Sequence, residues 1–462
     1  MIEQRQSRFP SKLTSTPSIT NQKQAVPQTQ VPTQSADTAT IEKNAYAKVF
    51  LRVVPFLMIC YVVAYLDRIN VGFAKLQMEI DLGFSQTAYG LGAGMFFIGY
   101  FFFEVPSNMI MYRVGARLWI ARIMITWGLL SALFVFVKTP FWFYTLRFLL
   151  GAAEAGFYPG VILYLTYWYP DRRRAAIVAT FMPAIPVAGI FGNPLSGWIM
   201  DSFDQFAGMR GWQWMFIIEA IPAVLSGILV LFLLSNGIHE AKWLTEEEKL
   251  ALERHIEGDA GGKKKSPHSL GGLLKDPRVW MMSAIYFCFV MGQYGLTFWM
   301  PTLVKATGVK DNVMTGLLSA IPFLVAVVTM ILCGRSADRR RERRWHLVLP
   351  ALCGAVGFVV AALTANNTAI AITFLSLAAG GVLTCAPLFW SLPTSFLRGS
   401  AAAAGIAAVN SIGNLAGFVS PYLIGYLKDI TQNNSTGMYM LAGMLVLGAL
   451  LVLTTRPEEV NR

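Results

Sequence analysis

The chain has 462 residues, of which 55% are hydrophobic and only 14% charged, and its mean hydropathy is +0.50. Soluble chains carry about 25% charged residues, so an ordinary soluble protein is excluded, and repeated apolar runs of about twenty residues predict a polytopic membrane protein. The net charge of +12 invites a nucleic-acid interpretation. The positive residues lie in short loops between the apolar runs, however, where they set topology, and we expect no nucleic-acid partner.

The N-terminal region, 1–45, is rich in Gln, Ser, Thr and Pro and is expected to be a disordered cytoplasmic tail. About twelve spans follow in two groups of six, which predicts an all-α integral membrane protein with two six-helix halves. The predicted spans are 48–74, 86–110, 118–137, 141–168, 174–201, 212–236, 279–303, 312–334, 346–365, 368–394, 400–427 and 437–455. The predicted units are an N-terminal half (46–236), a cytoplasmic linker (237–278), a C-terminal half (279–456) and a short tail (457–462).

The linker between the halves contains a predicted surface helix. Thr245 is a plausible N-cap and Glu248 follows three residues later, which is the spacing of a capping box. The Lys263–Lys265 run beyond it is interpreted as a solvated topology determinant, with contact to anionic lipid as the alternative.

The distribution of Lys and Arg predicts the orientation. If the N-terminus is cytoplasmic, the inside loops hold most basic residues and the outside loops hold few, which satisfies the positive-inside rule. The inside set is Arg113, Arg117, Arg172–Arg174, Lys263–Lys265, Arg335, Arg339–Arg341, Arg343, Arg344 and Arg398. We therefore expect both termini in the cytoplasm and a location in the cell's inner (plasma) membrane.

Four ionisable residues interrupt two of the spans. Asp67 and Arg68 lie within the first apolar stretch, and Arg147 and Glu154 lie two helical turns apart in the fourth. A charge at the centre of a membrane helix costs at least about 2.5–3.5 kcal/mol, so such residues usually face a protein interior or a wet cavity. These four residues are the predicted functional core.

Helix geometry places most of this core at a similar depth. Asp67 lies about 14 residues from the inner end of its span, which is roughly 21 Å along a helix in an apolar core about 30 Å thick. Arg147 lies roughly 9 Å inside the outer end of an oppositely directed span, and Glu154 lies about 10 Å deeper. Asp67, Arg68 and Arg147 can therefore share one level, provided that spans one and four are neighbours.

The chemistry of these groups suggests roles. Burial opposes ionisation of a carboxyl group and a nearby arginine favours it, so Asp67 and Glu154 could bind and release protons as their contacts change. An arginine keeps its charge, and its planar fork matches a carboxylate. Arg68 and Arg147 are thus predicted to hold a substrate carboxylate and the acidic pair. A static ion-pair network that stabilises helix packing is the alternative.

Two loops carry related sequences. Asn108-x-x-x-Tyr112-Arg113-Val114-Gly115-Ala116-Arg117 follows the second span, and Gly334-x-x-x-Asp338-Arg339-Arg340-Arg341 follows the eighth. The pair resembles the cytoplasmic signature of the major facilitator superfamily. The second copy fits well, whereas the first has Asn108 for Gly and Tyr112 for Asp. The resemblance implies a gating role for Arg113, Gly115, Arg117, Gly334, Asp338 and Arg339.

Three further stretches sharpen the resemblance. Residues 65–72 (YLDRINVG), 103–108 (FEVPSN) and 147–156 (RFLLGAAEAG) are similar to the anion:cation symporter branch of that superfamily. The branch includes bacterial permeases for tartrate, phthalate, 4-hydroxyphenylacetate and sugar acids. It implies the major facilitator fold, a monomer, and proton-coupling roles for Asp67 and Glu154.

Neutral polar and aromatic residues complete the predicted cavity. Tyr65, Tyr100, Tyr158 and Tyr164 lie in the first half, although by spacing alone an aromatic residue is more often a packing or lipid-facing residue. The resemblance to sugar-acid permeases favours Tyr100, Trp390 and Asn410. Gln293 and Asn414 are included because a buried amide needs a hydrogen-bond partner. Glu104 is a weaker candidate for a gating or packing role.

The sequence as a whole predicts a secondary active transporter that imports a small organic acid anion together with protons. No phosphate-binding loop, nucleophile elbow or HExxH sequence occurs, so an enzyme is not expected, and neither is a metal or cofactor besides the proton gradient. The five cysteines are expected to be free thiols. An exchanger or an efflux carrier is the main alternative, and a non-transporting membrane sensor is a weaker one.

Overall fold

The computed structural model describes residues 33–260, 276–396 and 400–460, and the regular structure within these ranges is helical. Eight helices form the first half: α1 (Thr33–Leu82), α2 (Gln86–Val114), α3 (Ala116–Ala132), α4 (Pro140–Glu154), α5 (Phe157–Thr166), α6 (Asp171–Ala179), α7 (Ala184–Ser202) and α8 (Gly211–Leu233). The linker contributes α9 (Glu246–Ala260). The second half contains α10 (Pro277–Lys305), α11 (Asn312–Arg340), α12 (Arg344–Leu363), α13 (Thr368–Phe389), α14 (Ser391–Phe396), α15 (Ser400–Asn414), α16 (Ala416–Thr431), α17 (Asn434–Leu453) and α18 (Pro457–Val460).

The expected number of membrane crossings is confirmed. In the described part of the chain, ten helical segments are long and apolar enough to span a membrane. Two further segments, α7 and the pair α15–α16, pack within the same bundle against α1 and α10 respectively. Together they give twelve crossings in two groups of six.

The two ends of the first predicted span need correction. Residues 33–45 were expected in a disordered tail, but the structure places them in α1, whereas residues 1–32 lie outside the described ranges. At its other end α1 continues past Ala74 to Leu82, so that Lys75 is a helical residue with no exposed surface. The basic residues Lys263–Lys265 and Arg398 also lie outside the described ranges.

The predicted capping box of α9 is confirmed. The Thr245 amide donates to the Glu248 carboxylate at 3.0 Å, and the Glu248 amide donates to the Thr245 hydroxyl at 3.3 Å. Glu248 also pairs with Lys48 of α1 at 2.7 Å. Burial alone would raise the pKa of Glu248, but the hydrogen bonds from Lys48 and Thr245 lower it below its ordinary value. The linker helix therefore begins where expected and docks on the first half.

The fourth crossing is broken where its sequence is richest in small residues. Helix α4 ends at Glu154, and Gly156 adopts a left-handed conformation with φ +85° before α5 begins. A side chain at Gly156 would also lie 2.5 Å from the Ser107 hydroxyl. Only glycine adopts this conformation without a steric penalty, so Gly156 fixes the end of α4 directly behind Glu154.

The two halves meet most closely at the end of the bundle that is remote from the basic loops. Helix α7 packs on α11 with Gly197 against the backbone of Asn312, and α2 packs on α16 with Gly90 against the backbone of Pro421. Both contacts lie at the beginning of a helix, α11 or α2, that ends in a basic loop. This arrangement closes one end of the central space between the halves.

Candidate functional site

The centre of the bundle contains a buried ion pair between the first and fourth crossings. The Arg68 guanidinium on α1 pairs with the Glu154 carboxylate at the end of α4, so spans one and four are neighbours. Arg68 is 8% exposed and Glu154 1% exposed. The Arg68 guanidinium also donates to the hydroxyl of Tyr294 on α10 at 3.2 Å. One arginine therefore links two helices of the first half to the second half.

Aromatic rings surround this ion pair. The guanidinium carbon of Arg68 lies 4.8 Å from the ring centre of Tyr65, 5.0 Å from that of Phe96 and 5.7 Å from that of Tyr100. Cation–π contacts of this kind stabilise a desolvated cation. The structure thus places the predicted residues Tyr65 and Tyr100 beside the predicted charges.

Arg147 occupies a different environment from Arg68. It is only 1% exposed, and its guanidinium donates to the backbone carbonyl of Ala93 at 3.1 Å and stacks over Phe96 at 5.0 Å. Its Nε atom has no hydrogen-bond partner, and no carboxylate in the described ranges forms an ion pair with it. Arg147 is therefore a buried cation whose charge no anion of the described chain balances directly.

Asp67 does not face the arginines. Its Oδ1 atom accepts hydrogen bonds from Ser131 of α3 at 2.8 Å and from Asn70 at 3.2 Å, while Oδ2 has no partner. The expectation that Asp67 shares an arginine with Glu154 is not met, because consecutive residues on a helix point about 100° apart. Asp67 thus lies inside the first half, behind the Arg68–Glu154 pair.

The second half contributes neutral groups. Gln293 is 5% exposed, and its side-chain amide makes no hydrogen bond within the described ranges. Trp390 lies at the break between α13 and α14, with its ring centre 4.9 Å from that of Tyr286, which also packs against Gly413 of α15. Asn410 and Asn414 are half-buried on α15.

Two predicted aromatic residues have packing roles. Tyr158 stacks on Tyr61 with ring centres 5.1 Å apart, and the Tyr164 hydroxyl donates to the backbone carbonyl of Ser235 at 2.7 Å. Glu104 is half-buried in the C-terminal half of α2 and forms no ion pair within the described ranges.

The signature loops lie at the end of the bundle remote from the closed contact. Gly115 separates α2 from α3 with φ +96°, and its neighbour Arg113 is exposed. In the second copy, Asp338 pairs with Arg343 at 3.2 Å, and Arg339 is exposed. The remaining residues of the signature, Arg117 and Gly334, are partly exposed.

A lysine that the sequence analysis missed lies between the central ion pair and the closed end. Lys75 of α1 is fully buried, with its ammonium 3.7 Å from the ring centre of Trp299 and 3.1 Å from the hydroxyl of Thr302. It also pairs with Glu79 at 3.0 Å. The predicted span ended one residue before Lys75, so the signal was present but fell outside the boundary.

At the closed end, each half donates hydrogen bonds from a helix N-terminus to a carboxylate of the other half. Asp429 of α16 accepts from the backbone amides of Gln86 and Thr87 at the beginning of α2, the latter at 2.8 Å. Asp201 of α7 accepts from the backbone amides of Asn312 and Val313 at the beginning of α11, at 3.0 and 3.1 Å. Each half therefore supplies an acid to a helix N-terminus of the other half, in addition to the local N-caps Ser85 and Asp311, and negative charge is stabilising there.

A second missed residue is Glu219 on α8. It is 1% exposed, and its carboxylate accepts from the Ser196 hydroxyl at 2.7 Å. It is a lone carboxyl group in an otherwise apolar span, which is the same signal that identified Asp67 and Glu154 in the sequence.

Comparisons with known proteins agree with this architecture. Residues 57–421 match the family model of the Major Facilitator Superfamily. The chain is 49% identical to the "Putative metabolite transport protein NicT" of Pseudomonas putida, covering 91% of this chain and 96% of the relative. It is 48% identical to a "Putative tartrate transporter" of Agrobacterium vitis, covering 91% and 97%. The xylose transporter XylE from E. coli, in a partially occluded inward open conformation, aligns with a TM-score of 0.70 at 14% identity, covering 89% and 98%.

Proposed function

Since the chain belongs to the Major Facilitator Superfamily and is a membrane transporter rather than an enzyme, we propose that it imports a small organic acid anion together with protons. The carrier lies in the inner membrane with both termini in the cytoplasm. It works by alternating access, in which the two six-helix halves close in turn on either side of a central site.

The observation that carries this proposal is the environment of Arg147. A buried guanidinium that lacks an anionic partner is costly, and it is the group best suited to a planar carboxylate because its fork donates two parallel hydrogen bonds. Arg147 and Arg68 share contact with the ring of Phe96. A substrate carboxylate that enters beside this ring supplies the negative charge that the described chain does not pair with Arg147.

Proton coupling follows from the Arg68–Glu154 pair. While Glu154 is ionised it holds Arg68, which also contacts Tyr294 of the opposite half. A proton on Glu154 removes the negative charge and frees the guanidinium to bind a second group of the substrate. Proton binding at Glu154 and anion binding at Arg68 therefore favour each other, which is the linkage that symport requires.

The closed end indicates which conformation of the transport cycle the structure corresponds to. The basic loops identify the cytoplasmic side by the positive-inside rule, so the contacts made by Asp201 and Asp429 close the outer side. The structure then corresponds to a carrier that is closed to the outside, and the outward-open state needs both of these contacts to separate.

Relatives guide the choice of substrate class. The chain is 48% identical to a protein named as a putative tartrate transporter, which supports a hydroxy acid or dicarboxylic acid. The aromatic rings around Arg68 and the neutral amide of Gln293 are compatible with hydroxyl groups or with a ring.

A proteoliposome screen tests the proposal. Purified protein is challenged with tartrate, galactonate, phthalate and 4-hydroxyphenylacetate under an imposed inward proton gradient, and the internal pH and labelled acid are read together. We expect acid-dependent proton entry together with accumulation of at least one acid. A protonophore should abolish the accumulation, and protein-free vesicles should show neither effect.

The same vesicles decide between import and the alternatives. Exchange of internal for external acid without gradient-driven accumulation would replace symport with exchange. Extrusion driven by the same gradient would make the protein an efflux carrier. Protection of the protein against heat by an acid that it does not move would indicate a sensor.

A further inference from the structure

Glu219 on α8 is a buried carboxyl group to which no role has so far been given. It is 1% exposed, its Oε1 atom accepts from Ser196 of α7, and its Oε2 atom has no hydrogen-bond partner. No cation in the described ranges forms an ion pair with it. A permanently ionised carboxylate in this position would keep its full desolvation cost.

Asp67 and Glu219 lie within electrostatic range of each other, and Asn70 hydrogen-bonds to Asp67. Glu219 is also within reach of the Asn70 side chain. The amide nitrogen of Asn70 donates to Asp67 at 3.2 Å, whereas its Oδ1 atom is buried and has no donor. Asn70 itself has no exposed surface.

The surrounding helices offer hydroxyl and indole groups, and the charged side chains within electrostatic range of Asp67 are Arg147 and Glu154, neither of which forms an ion pair or hydrogen bond with it in the described ranges. Helix α3 presents the Ser131 hydroxyl and the Trp127 indole to Asp67, and α7 presents Ser196 to Glu219. The Trp127 Nε1 atom makes no hydrogen bond. The arginine of α3, Arg122, instead stacks on Trp119 with its guanidinium carbon 3.8 Å from the ring centre.

Several buried oxygens of this cluster lack hydrogen-bond donors. Three buried oxygens have no donor: Asp67 Oδ2, Asn70 Oδ1 and Glu219 Oε2. Two neighbouring buried carboxylates that form no ion pair in the described ranges cannot both remain ionised at low cost, because like charges disfavour ionisation. A proton on one carboxyl group removes a charge and supplies a donor for an orphan oxygen.

We propose that Glu219 is a proton-binding residue that titrates together with Asp67, behind the anion site. Its part in transport rests on the proposed function. Loss of the Asp67 proton then leaves a negative charge beside Glu219, so the two groups titrate as a coupled pair. The pair keeps Asp67 protonated to higher pH than Asp67 would be alone.

The test is the pH profile of substrate exchange with equal pH on both sides of the vesicle membrane. Glu219→Gln removes the titrating group but keeps the shape of the protonated acid. We expect the alkaline limb of the profile to move to lower pH by about one unit or more, because the repulsion that opposes Asp67 ionisation is gone. Glu219→Asp, which keeps a carboxyl group, should restore the wild-type limb, and Ser226→Ala on the same helix should not move it.

A wild-type profile in Glu219→Gln would overturn the inference, because Glu219 would then be permanently protonated and purely structural. A wild-type exchange rate that does not vary with pH would overturn it as well. The proposed function fails by a separate result, the absence of gradient-driven accumulation in wild type. If Glu219→Gln yields no folded protein, infrared spectra of the wild type and of Glu219→Asp decide: a C=O band that disappears on raising the pH and changes frequency in Glu219→Asp supports the pair, and a band that is the same in both proteins contradicts it.

Discussion

The two halves of the molecule are alike at the closed end and different in the interior of the bundle. At the closed end, Asp201 of the first half and Asp429 of the second make equivalent contacts to opposing helix N-termini. In the interior, the described charged side chains that are buried within the bundle all lie in the first half: Asp67, Arg68, Lys75, Arg147, Glu154 and Glu219. The buried polar side chains of the second half, such as Gln293, Thr302 and Ser420, are neutral.

We infer from this difference that the two halves contribute different interactions to transport. Buried charges are costly unless they are paired or face a wet cavity. Under the proposed function, their concentration in one half lets a bound proton and a bound anion act on each other within that half. The second half contacts the first through neutral groups such as Tyr294. We therefore expect substitutions in the first half to change coupling and affinity, and substitutions in the second half to change which acid is preferred.

The largest expected effect is that of Glu154→Gln. The amide cannot release a proton, so gradient-driven accumulation should fall to the level of protein-free vesicles. Exchange should persist, because Arg68 remains free to hold the anion. The measurement is labelled-acid uptake with and without a proton gradient, in the same vesicle preparation.

The matched control is Glu104→Gln, which neutralises a half-buried carboxyl group of α2 outside the ion pair. It should accumulate substrate as wild type does. Wild-type accumulation by Glu154→Gln would show that proton coupling does not depend on the Arg68–Glu154 ion pair. The contrast between a coupling first half and a neutral second half would then be wrong.

Arg147→Ala should have the next largest effect. A hydrogen bond to a charged group is worth about 1.5–3 kcal/mol, so the substrate dissociation constant should rise by roughly 10- to 100-fold. Arg147→Lys keeps the charge but loses the fork, and its affinity should fall between the two. Equilibrium binding of the transported acid measures both. Unchanged affinity in Arg147→Ala would leave the buried guanidinium as a packing group and remove the main support for an anion site.

Much of the first-half site could be predicted from the sequence, because a charge in an apolar run is visible without a structure. Asp67, Arg68, Arg147 and Glu154 were found in this way, and Glu219 carries the same signal. Two features could not be predicted. The direction in which each side chain points decides that Arg68 rather than Arg147 pairs with Glu154. The pairing of Asp429 with α2, more than 300 residues away in the sequence, depends on how the halves dock.

Substitutions of Asp201 and Asp429, the acids that contact opposing helix N-termini at the closed end, should have a smaller effect. They test whether the two contacts are energetically equivalent. Removing the charge of a capping acid costs about 1 kcal/mol, so Asp201→Asn and Asp429→Asn should each shift the equilibrium toward the outward-open state by about fivefold. The two caps share no partner, so the double variant should combine the shifts. Spin labels at the outer ends of α2 and α16 measure the populations. Strongly unequal single shifts would show that one interface dominates the closure.

The smallest expected effect is that of Gln293→Ala in the second half. The loss of a neutral hydrogen bond to substrate is worth about 0.5–1.5 kcal/mol, which is roughly a 2- to 10-fold change in affinity. The change should differ between acids that carry hydroxyl groups and those that carry a plain ring, because only the former offer a hydroxyl group to the amide. Proton coupling should be unaffected. Ser283→Ala on the same helix is the control, since that hydroxyl bonds to its own helix backbone at Val279. If Gln293→Ala reduces the affinity for all acids equally, the second half contributes to binding without discriminating, and specificity must then reside beside Arg147.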